Sequence, residues 1–222
     1  MEAGAPPVVV ERRGGRSGEL VLRRRGDDWE VILNGAFLIA SVNEASSRAL
    51  VTAARPFLPD GPLNVLIGGL GMGYALDEAL ELEMAARVTV AEFEPVIVEW
   101  FESYFGERAS RLRRDARAQV VAADVTNVLR DSPAAFDLIA LDTDNGPAWL
   151  VRGENAALYD VAGLALVRGA LRPAGVAVFW SPESYDWFAR RLLRLFPSVT
   201  ASEAHDHVQG RRLAYTMYVC RG

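Results

Sequence analysis

A glycine-rich turn and an acidic residue stand at the ends of two successive predicted strands. The segment LIGGLGMGY at 66–74 places Gly69, Gly71 and Gly73 at alternate positions directly after a short apolar run. Glu92 ends the next predicted strand and lies 19 residues after Gly73. An acid about 20 residues beyond a glycine fingerprint is positioned to accept hydrogen bonds from ribose hydroxyls. The spacing therefore predicts a nucleoside site.

Further carboxylates follow the third, fourth and fifth predicted strands: Asp124, Asp142, Asp144 and Glu183. In an open parallel sheet, ligands bind at the carboxyl ends of the strands, so these side chains are expected around one pocket. Each also has a purely structural interpretation. A glycine turn can serve strand–helix packing alone, and Asp124 can cap a helix that starts near Val125. Their occurrence at successive strand ends favours a binding site.

The abundance of carboxylates indicates which kind of nucleoside would bind. Acids around a pocket suit a cationic ligand without phosphate, so S-adenosylmethionine, a sulfonium nucleoside, fits better than NAD. The chain contains no lysine. It therefore cannot form a Schiff base with pyridoxal phosphate or a phosphate-binding loop that requires lysine. The expected chemistry is in-line displacement at a carbon bound to the sulfonium, with Asp142 orienting or deprotonating the acceptor and Asp144 assisting.

The elements that position these residues divide at about residue 60. Residues 1–60 contain strand-like segments, and Asn34-Gly35 between two apolar runs predicts a β-hairpin. A helix is predicted over NEASSRALVTAARPFL, and PDGP at 59–62 marks a boundary. Over 61–222, strand-like and helix-like segments alternate, which predicts a mostly parallel sheet covered on both faces. Within it, one helix should run from about 74 to 86, and a single long helix should end near LRPAG at 171–175.

Composition excludes several classes of function. The net charge of −5 gives no electrostatic case for nucleic acid as a partner. No apolar run approaches the roughly 18 residues that a membrane span needs, and a single cysteine excludes an internal disulfide framework. We therefore expect no membrane partner and a cytoplasmic location. His205 and His207 do not supply a full metal ligand set, so no metal is expected.

At this point the pattern resembles the spermidine synthase-like (polyamine aminopropyltransferase) family, a branch of the class I methyltransferase fold. GGLGMG at 68–73 stands where the family has G-G-G-D-G-G, and DTDNGP at 142–147 resembles its D-S-S-D-P-x-G-P loop. VAEFEP, AADV, VNEASSRAL and LYDVAGLALVRGALRPAGV resemble further family segments. The resemblance implies a Rossmann-like α/β fold with a mostly parallel seven-stranded sheet flanked by helices and a small N-terminal β-hairpin region.

The resemblance also implies roles for residues at the matching positions. Donor-binding residues would be Gly69, Gly71, Gly73, Glu92, Asp124, Val125 and Asn43, and the catalytic pair would be Asp142 and Asp144. The acceptor pocket would be lined by Tyr159, Glu183, Trp149 and Trp180, with packing in the core as the alternative for the three aromatic residues. The acceptor is expected to be a small molecule, an amine if the family pattern holds, and free edges of the hairpin favour a homodimer.

One departure from the family pattern concerns the donor. Gly71 stands where the family has an aspartate associated with the aminopropyl end of decarboxylated S-adenosylmethionine. An acid at that position would repel the carboxylate of intact S-adenosylmethionine, and its absence leaves backbone N–H groups at a helix N-terminus for that anion. Three hypotheses follow, in order: methyl transfer from S-adenosylmethionine to a small molecule, aminopropyl transfer from the decarboxylated form, and a non-catalytic nucleoside-binding protein.

Overall fold

The first sheet is antiparallel and is built from the N-terminal residues. The computed structural model describes residues 6–143, 146–150, 152–208 and 211–222. Its strands, in spatial order, are β1 (Val8–Gly15), β2 (Gly18–Arg25), β3 (Asp28–Leu33) and β4 (Ala36–Ala40). The predicted hairpin at Asn34-Gly35 joins β3 to β4, with φ of +50° and +81° at the two turn residues. Strand β1 lies within the N-terminal region that was predicted to contain strands, and it pairs with β2.

The second sheet is mostly parallel and contains seven strands, as predicted. In spatial order they are β10 (Ser198–Val208), β11 (Arg211–Arg221), β9 (Leu171–Ser181), β8 (Phe136–Leu141), β5 (Leu63–Gly68), β6 (Ala85–Ala91) and β7 (Ala118–Val121). The five strands from β9 to β7 are parallel, whereas β11 runs antiparallel to both β9 and β10. Strand β10 was not predicted, because its mixed polar sequence becomes a strand through pairing with β11.

Eight helices lie in the described part of the chain. They are α1 (Glu44–Thr52), α2 (Tyr74–Leu80), α3 (Pro95–Tyr104), α4 (Gly106–Arg114), α5 (Val125–Asp131), α6 (Ala156–Tyr159), α7 (Val161–Ala170) and α8 (Asp186–Leu192). Three predicted lengths were wrong. Helix α1 ends at Thr52, whereas its predicted segment runs to Leu58, because the chain continues there as a 3-10 turn over Arg55–Phe57. Helix α2 ends at Leu80 because β6 already begins at Ala85. The predicted long helix is divided because the Asp160 carboxylate accepts a hydrogen bond from Gly163 N at 2.8 Å and starts α7.

Buried apolar side chains fill both faces of the parallel sheet. Along β5, Val65 and Ile67 belong to one core cluster and Leu66 to the other, as expected where successive side chains alternate between faces. The first cluster also contains Leu22 and Leu33 from the antiparallel sheet. The N-terminal sheet is thus packed into the core of the larger one. None of the described helices is long and apolar enough to cross a bilayer.

Candidate active site

A cavity opens at the carboxyl ends of the parallel strands and collects most of the predicted donor-binding residues. It encloses about 770 Å³ of empty space, part of which is open to solvent. Its lining includes six residues that the sequence selected: Gly69, Gly71, Glu92, Asp124, Val125 and Asp142. Leu33, Leu38 and Ile39 of the N-terminal sheet line the same space. The N-terminal sheet therefore forms one wall of this nucleoside cavity.

Glu92 is held in the cavity wall by backbone amides. Its side chain is buried, and its two carboxylate oxygens accept hydrogen bonds from Leu70 N and Glu94 N, both at 2.8 Å. Burial raises the pKa of this carboxyl, while the two backbone N–H groups act in the opposite direction. Each carboxylate oxygen has a second lone pair, so Glu92 retains acceptor capacity for ribose hydroxyls.

Glu94 connects this wall to the N-terminal sheet. Its buried carboxylate accepts hydrogen bonds from Arg16 N at 2.7 Å and Ser17 N at 2.6 Å, the two residues of the turn between β1 and β2. Because Glu94 N in turn donates to Glu92, the position of the turn and the orientation of Glu92 are linked through one residue.

Asp124 caps a helix and also lines the cavity. Its Oδ1 accepts a hydrogen bond from Thr126 N at 2.8 Å, which caps α5. Its Oδ2 lies 3.7 Å from a guanidinium nitrogen of Arg152, and the Arg152 guanidinium carbon lies 3.6 Å from the centroid of the Phe93 ring. Asp124, Phe93 and Arg152 thus form the far side of the nucleoside cavity.

The glycine turn approaches two other chain segments closely. A Cβ atom on Gly69 would collide with the backbone oxygen of Asp142, so the turn packs directly against the loop after β8. A Cβ atom on Gly71, where φ is +51°, would lie 2.6 Å from Ile39 Cδ1. Gly73 packs against the Phe101 ring and does not line the cavity. The site thus uses Gly71 to admit an apolar side chain from β4.

A second cavity adjoins the first and has an aromatic lining. It encloses about 650 Å³ of empty space and is lined by Asn43, Asp142, Trp149 and Trp180, together with Phe37, Pro182 and Tyr215. The Trp180 and Tyr215 rings lie 5.2 Å apart, and Asn43 Nδ2 donates to the Tyr215 hydroxyl at 3.2 Å. The structure thus places Asn43, which was predicted to bind the donor, in this aromatic cavity.

A third, smaller cavity lies beside the glycine turn. Gly69, Gly71, Ser47, Tyr74 and Asp142 are among its lining residues. Asp142 therefore lines the nucleoside cavity, the aromatic cavity and this small cavity, as does Ile39. One acidic residue therefore borders all three spaces.

Comparison with known proteins assigns the chain to a family. The model of the spermine/spermidine synthase domain matches residues 47–191, which is more than half of the chain. The chain belongs to the spermine/spermidine synthase family. The match begins within α1 and includes the glycine turn, Glu92, Asp124 and Asp142.

Curated members of the family cover most of this chain. A polyamine aminopropyltransferase of Mycobacterium tuberculosis is 28% identical over 184 residues, 82% of this chain and 34% of that protein. Polyamine aminopropyltransferase 1 of Streptomyces coelicolor is 31% identical over 189 residues, 80% of this chain and 33% of that protein. The chain thus spans about a third of the length of these relatives.

Solved structures of the family share the fold. A spermidine synthase in complex with the transition-state analogue AdoDATO matches 96% of this chain and 73% of its own, with a TM-score of 0.80 at 20% identity. The spermidine synthase of Thermotoga maritima matches 96% of this chain and 72% of its own, with a TM-score of 0.76 at 20% identity. The α/β fold with a mostly parallel seven-stranded sheet, expected from the resemblance, is confirmed.

Besides Gly73, three residues predicted for the site lie elsewhere or outside the described residues. Glu183 is exposed and lines neither large cavity, because Pro182 occupies the wall as the chain leaves β9. Tyr159 is buried behind the loop after β8, where its hydroxyl lies 3.3 Å from Thr143 Oγ1, so it supports that loop without lining the described cavities. Asp144 lies outside the described residues, and its catalytic role stays a prediction.

Some cavity-lining residues were not selected as site residues from the sequence: Ile39, Phe93, Glu94, Arg152 and Tyr215. Asp206, which supports α1, was not selected either. Phe93 and Glu94 directly follow Glu92, so their position after a strand was a usable signal. Asp206 is buried on β10 and accepts a hydrogen bond from Ala45 N at 2.8 Å, at the start of α1. No local pattern relates Asp206 to a helix that begins 161 residues earlier.

Proposed function

We propose that this chain transfers an aminopropyl group from decarboxylated S-adenosylmethionine to an amine acceptor. The observation that carries the proposal is the position of Asp142, which lines the nucleoside cavity, the small cavity beside the glycine turn and the aromatic cavity. A carboxylate at that junction can bind the ammonium of the donor and accept the proton of the acceptor. Membership of the spermine/spermidine synthase family and the curated aminopropyltransferases support this choice.

The surroundings of the glycine turn favour the decarboxylated donor. Three of its backbone N–H groups already donate hydrogen bonds: Gly69 N to Ala91 O, Leu70 N to Glu92 and Gly73 N to Leu70 O. These three N–H groups are therefore not available to the anion site that was expected there from the sequence. The described lining of the small cavity includes the acidic residue Asp142 and no arginine, which disfavours the carboxylate of intact S-adenosylmethionine.

Methyl transfer, the first of the three hypotheses drawn from the sequence, is not supported by the relatives. It rested on the missing aspartate at position 71. The structure offers an acid for the same space from a different segment, because Asp142 lines the cavity beside Gly71.

The reaction follows from the arrangement of the cavities. An amine nitrogen in the aromatic cavity attacks the propyl carbon bound to the sulfonium, and a C–N bond forms as the C–S bond breaks. The electron pair of that bond returns to sulfur, which gives neutral methylthioadenosine as the leaving group. The amine loses one proton, which passes to Asp142 and then to water. Glu92 and Asp124 hold the nucleoside while the reacting atoms are aligned.

The identity of the nucleoside product tests the proposal. Purified protein is incubated with an amine mixture and either decarboxylated or intact S-adenosylmethionine, and the products are separated by chromatography and mass spectrometry. We expect methylthioadenosine from the decarboxylated donor. S-adenosylhomocysteine formed from the intact donor would contradict the proposal in favour of methyl transfer, and neither product with any amine would favour a non-catalytic protein.

Replacement of Asp142 tests its role in the proposed reaction. Asp142→Asn is expected to lower kcat about 10²- to 10⁴-fold, the usual contribution of a positioned acid or base. Its affinity for methylthioadenosine, measured by calorimetry, should change only a few-fold, because Glu92 and Asp124 remain. Asp131→Asn, at an exposed carboxylate that ends α5, is the matched control and should retain turnover. Full turnover by Asp142→Asn would refute the assignment.

A further inference from the structure

The turn between β1 and β2 reaches the wall of the nucleoside cavity from the N-terminal sheet. Its residues Arg16 and Ser17 donate their backbone N–H groups to the two carboxylate oxygens of Glu94. A Cβ atom on Gly15 would collide with Glu94 Oε2, so the turn lies in direct contact with this carboxylate. Asn34, in the turn between β3 and β4, donates from its Nδ2 to Ser17 O at 2.8 Å. The turn is therefore held by contacts from both sheets.

The side chain of Arg16 joins two loops at the carboxyl ends of the parallel strands. Its Nη1 donates to Phe93 O, in the loop after β6, at 3.0 Å and to Ala122 O, in the loop after β7, at 3.3 Å. The guanidinium carbon also lies 5.4 Å from the centroid of the Phe93 ring, within the range of a cation–π contact. One nitrogen atom of Arg16 is therefore bonded to the backbone of both loops.

These two loops carry the acids that are expected to hold the nucleoside. Glu92 immediately precedes Phe93, and Asp124 follows Ala122 by two positions. Both acids line the nucleoside cavity, whereas Arg16 is not among its described lining residues. The bridge thus fixes the separation of the two loops from outside the cavity. Groups that are already correctly placed bind a ligand more tightly, because less ordering is required on binding.

We propose that Arg16 is a positioning residue of the nucleoside site and sets the distance between Glu92 and Asp124. The inference rests on the proposed function, in which these two acids hold the nucleoside, with Glu92 at the ribose and Asp124 at the amino group of adenine. Arg16 acts through the two loops and not by contact with the ligand. The turn lies before residue 47, where the match to the family model begins, so this support comes from outside the matched domain.

Removal of the Arg16 side chain tests the inference through nucleoside binding. Calorimetry on the full chain uses methylthioadenosine, which is neutral, so the loss of a positive charge at position 16 does not by itself change the affinity. Arg16→Ala should weaken binding about tenfold, the scale of hydrogen bonds from a charged group. Arg16→Lys, which keeps N–H donors on a shorter side chain, should weaken it less.

Arg13→Ala is the matched control for the loss of an arginine between the two sheets. Arg13 lies on β1 and also joins the N-terminal sheet to the rest of the chain, because its Nη2 lies 2.8 Å from Glu99 Oε2 on α3. Neither residue is among the described lining of the nucleoside cavity. The affinity of Arg13→Ala for methylthioadenosine should therefore stay within twofold of the native value.

A second nucleoside separates positioning from a general loss of folded protein. Methylthioinosine has an oxygen in place of the adenine amino group, so it lacks the donor for Asp124. Partial unfolding weakens the binding of both nucleosides by the same factor, whereas a displaced loop after β7 lowers the preference for methylthioadenosine. We expect Arg16→Ala to lower this preference and, because Arg16 is exposed, to melt near the native temperature. Gly15→Ala, which moves the turn away from Glu94, should act in the same direction.

The results that overturn the inference differ from those that overturn the proposed function. An affinity for methylthioadenosine within twofold of the native value in both Arg16→Ala and Gly15→Ala overturns the inference and leaves the proposed function intact. A tenfold loss with an unchanged preference between the two nucleosides also overturns it, because the loop that carries Asp124 is then unaffected. Failure of the native protein to bind methylthioadenosine overturns the inference. Absence of methylthioadenosine among the products of the decarboxylated donor overturns the proposed function.

Discussion

Glu92 is a buried carboxylate whose orientation is set by backbone groups. Leu70 N and Glu94 N direct its two oxygens, so the side chain is in place before a ligand arrives. Burial raises the pKa above the ordinary value of 4.5. The folded protein therefore holds this proton more tightly than the unfolded chain does. This contribution makes stability fall as the pH rises from the ordinary pKa through the raised one.

Ligand binding should show the opposite dependence on pH at this residue. The ionised carboxylate is the better acceptor for ribose hydroxyls, so affinity for methylthioadenosine should fall as the pH decreases through the raised pKa. Glu92→Gln should weaken binding about 10- to 100-fold at neutral pH, the cost of losing a hydrogen bond to a charged group, and should flatten this pH dependence. Calorimetry across a pH series measures both effects. An unaltered profile in the variant would contradict the role of Glu92.

Gly71 and Ile39 should behave as an interacting pair. An aspartate at position 71 needs the left-handed conformation, which costs about 1–2 kcal/mol for a residue with a Cβ atom, and it must also displace Ile39 Cδ1. Gly71→Asp should therefore reduce the free energy of unfolding less in an Ile39→Ala background than in the native one. Urea denaturation of the two single variants and the double variant measures the coupling. Additive effects would show that the two side chains do not compete for space.

Helix α1 is placed by a contact from a distant strand. The buried Asp206 of β10 accepts hydrogen bonds from Ala45 N at 2.8 Å and from Ser46 N at 3.3 Å. The same helix and the turn before it carry Asn43, Ser46 and Ser47, which line the aromatic cavity. Strand β10 thus holds one wall of the aromatic cavity, which is the proposed acceptor pocket.

Removal of this contact should affect stability and the acceptor together. Asp206→Ala leaves two N–H groups at the start of α1 without their acceptor, which should cost about 1–3 kcal/mol of the free energy of unfolding. KM for the amine should rise, whereas affinity for methylthioadenosine should stay within a few-fold. His207→Ala, at an exposed neighbour on β10, is the control. If Asp206→Ala weakened the binding of methylthioadenosine as much as that of the amine, the effect would not be confined to the aromatic cavity.

The molecule as a whole joins its two sheets through one core. Leu22 and Leu33 of the N-terminal sheet belong to the same buried cluster as Val65 and Ile67 of the parallel sheet. Glu94 adds hydrogen bonds between the sheets at the edge of the nucleoside cavity. The boundary near residue 60 stays a prediction from the sequence, and the shared core argues for a single folding unit. The homodimer also stays a prediction.

A shared core predicts one cooperative unfolding transition. Trp29 reports on the N-terminal sheet and Trp100 on α3, and both pack against this core. Thermal melting followed by far-ultraviolet circular dichroism and by tryptophan fluorescence should give coincident midpoints. Variants in which either Trp29 or Trp100 is replaced by phenylalanine show which part of the fluorescence change comes from the N-terminal sheet and which from α3. Two separated transitions would establish independent domains.

The sequence by itself determined the residues at the ends of the parallel strands. Apolar runs of strand length, each followed by a glycine turn or an acid, are local patterns. A parallel sheet then brings the carboxyl ends of its strands to one edge. Gly69, Glu92, Asp124 and Asp142 could therefore be placed in one cavity without coordinates, and the family resemblance followed from the same segments. The sequence predicted the lengths of the helices less well. Helix α2 is shorter than predicted, and the predicted long helix is divided into α6 and α7.

Only the tertiary structure decided which side chains complete the cavities. Ile39 reaches Gly71 from a separate sheet, Tyr215 meets Asn43 across the chain, and Asp206 holds α1. Glu183 does not line the aromatic cavity because the chain turns at Pro182. Residue type and spacing do not encode that change of direction. These contacts join segments far apart in the sequence. They depend on how the two sheets and β10 pack, and no periodicity within a single segment records that packing.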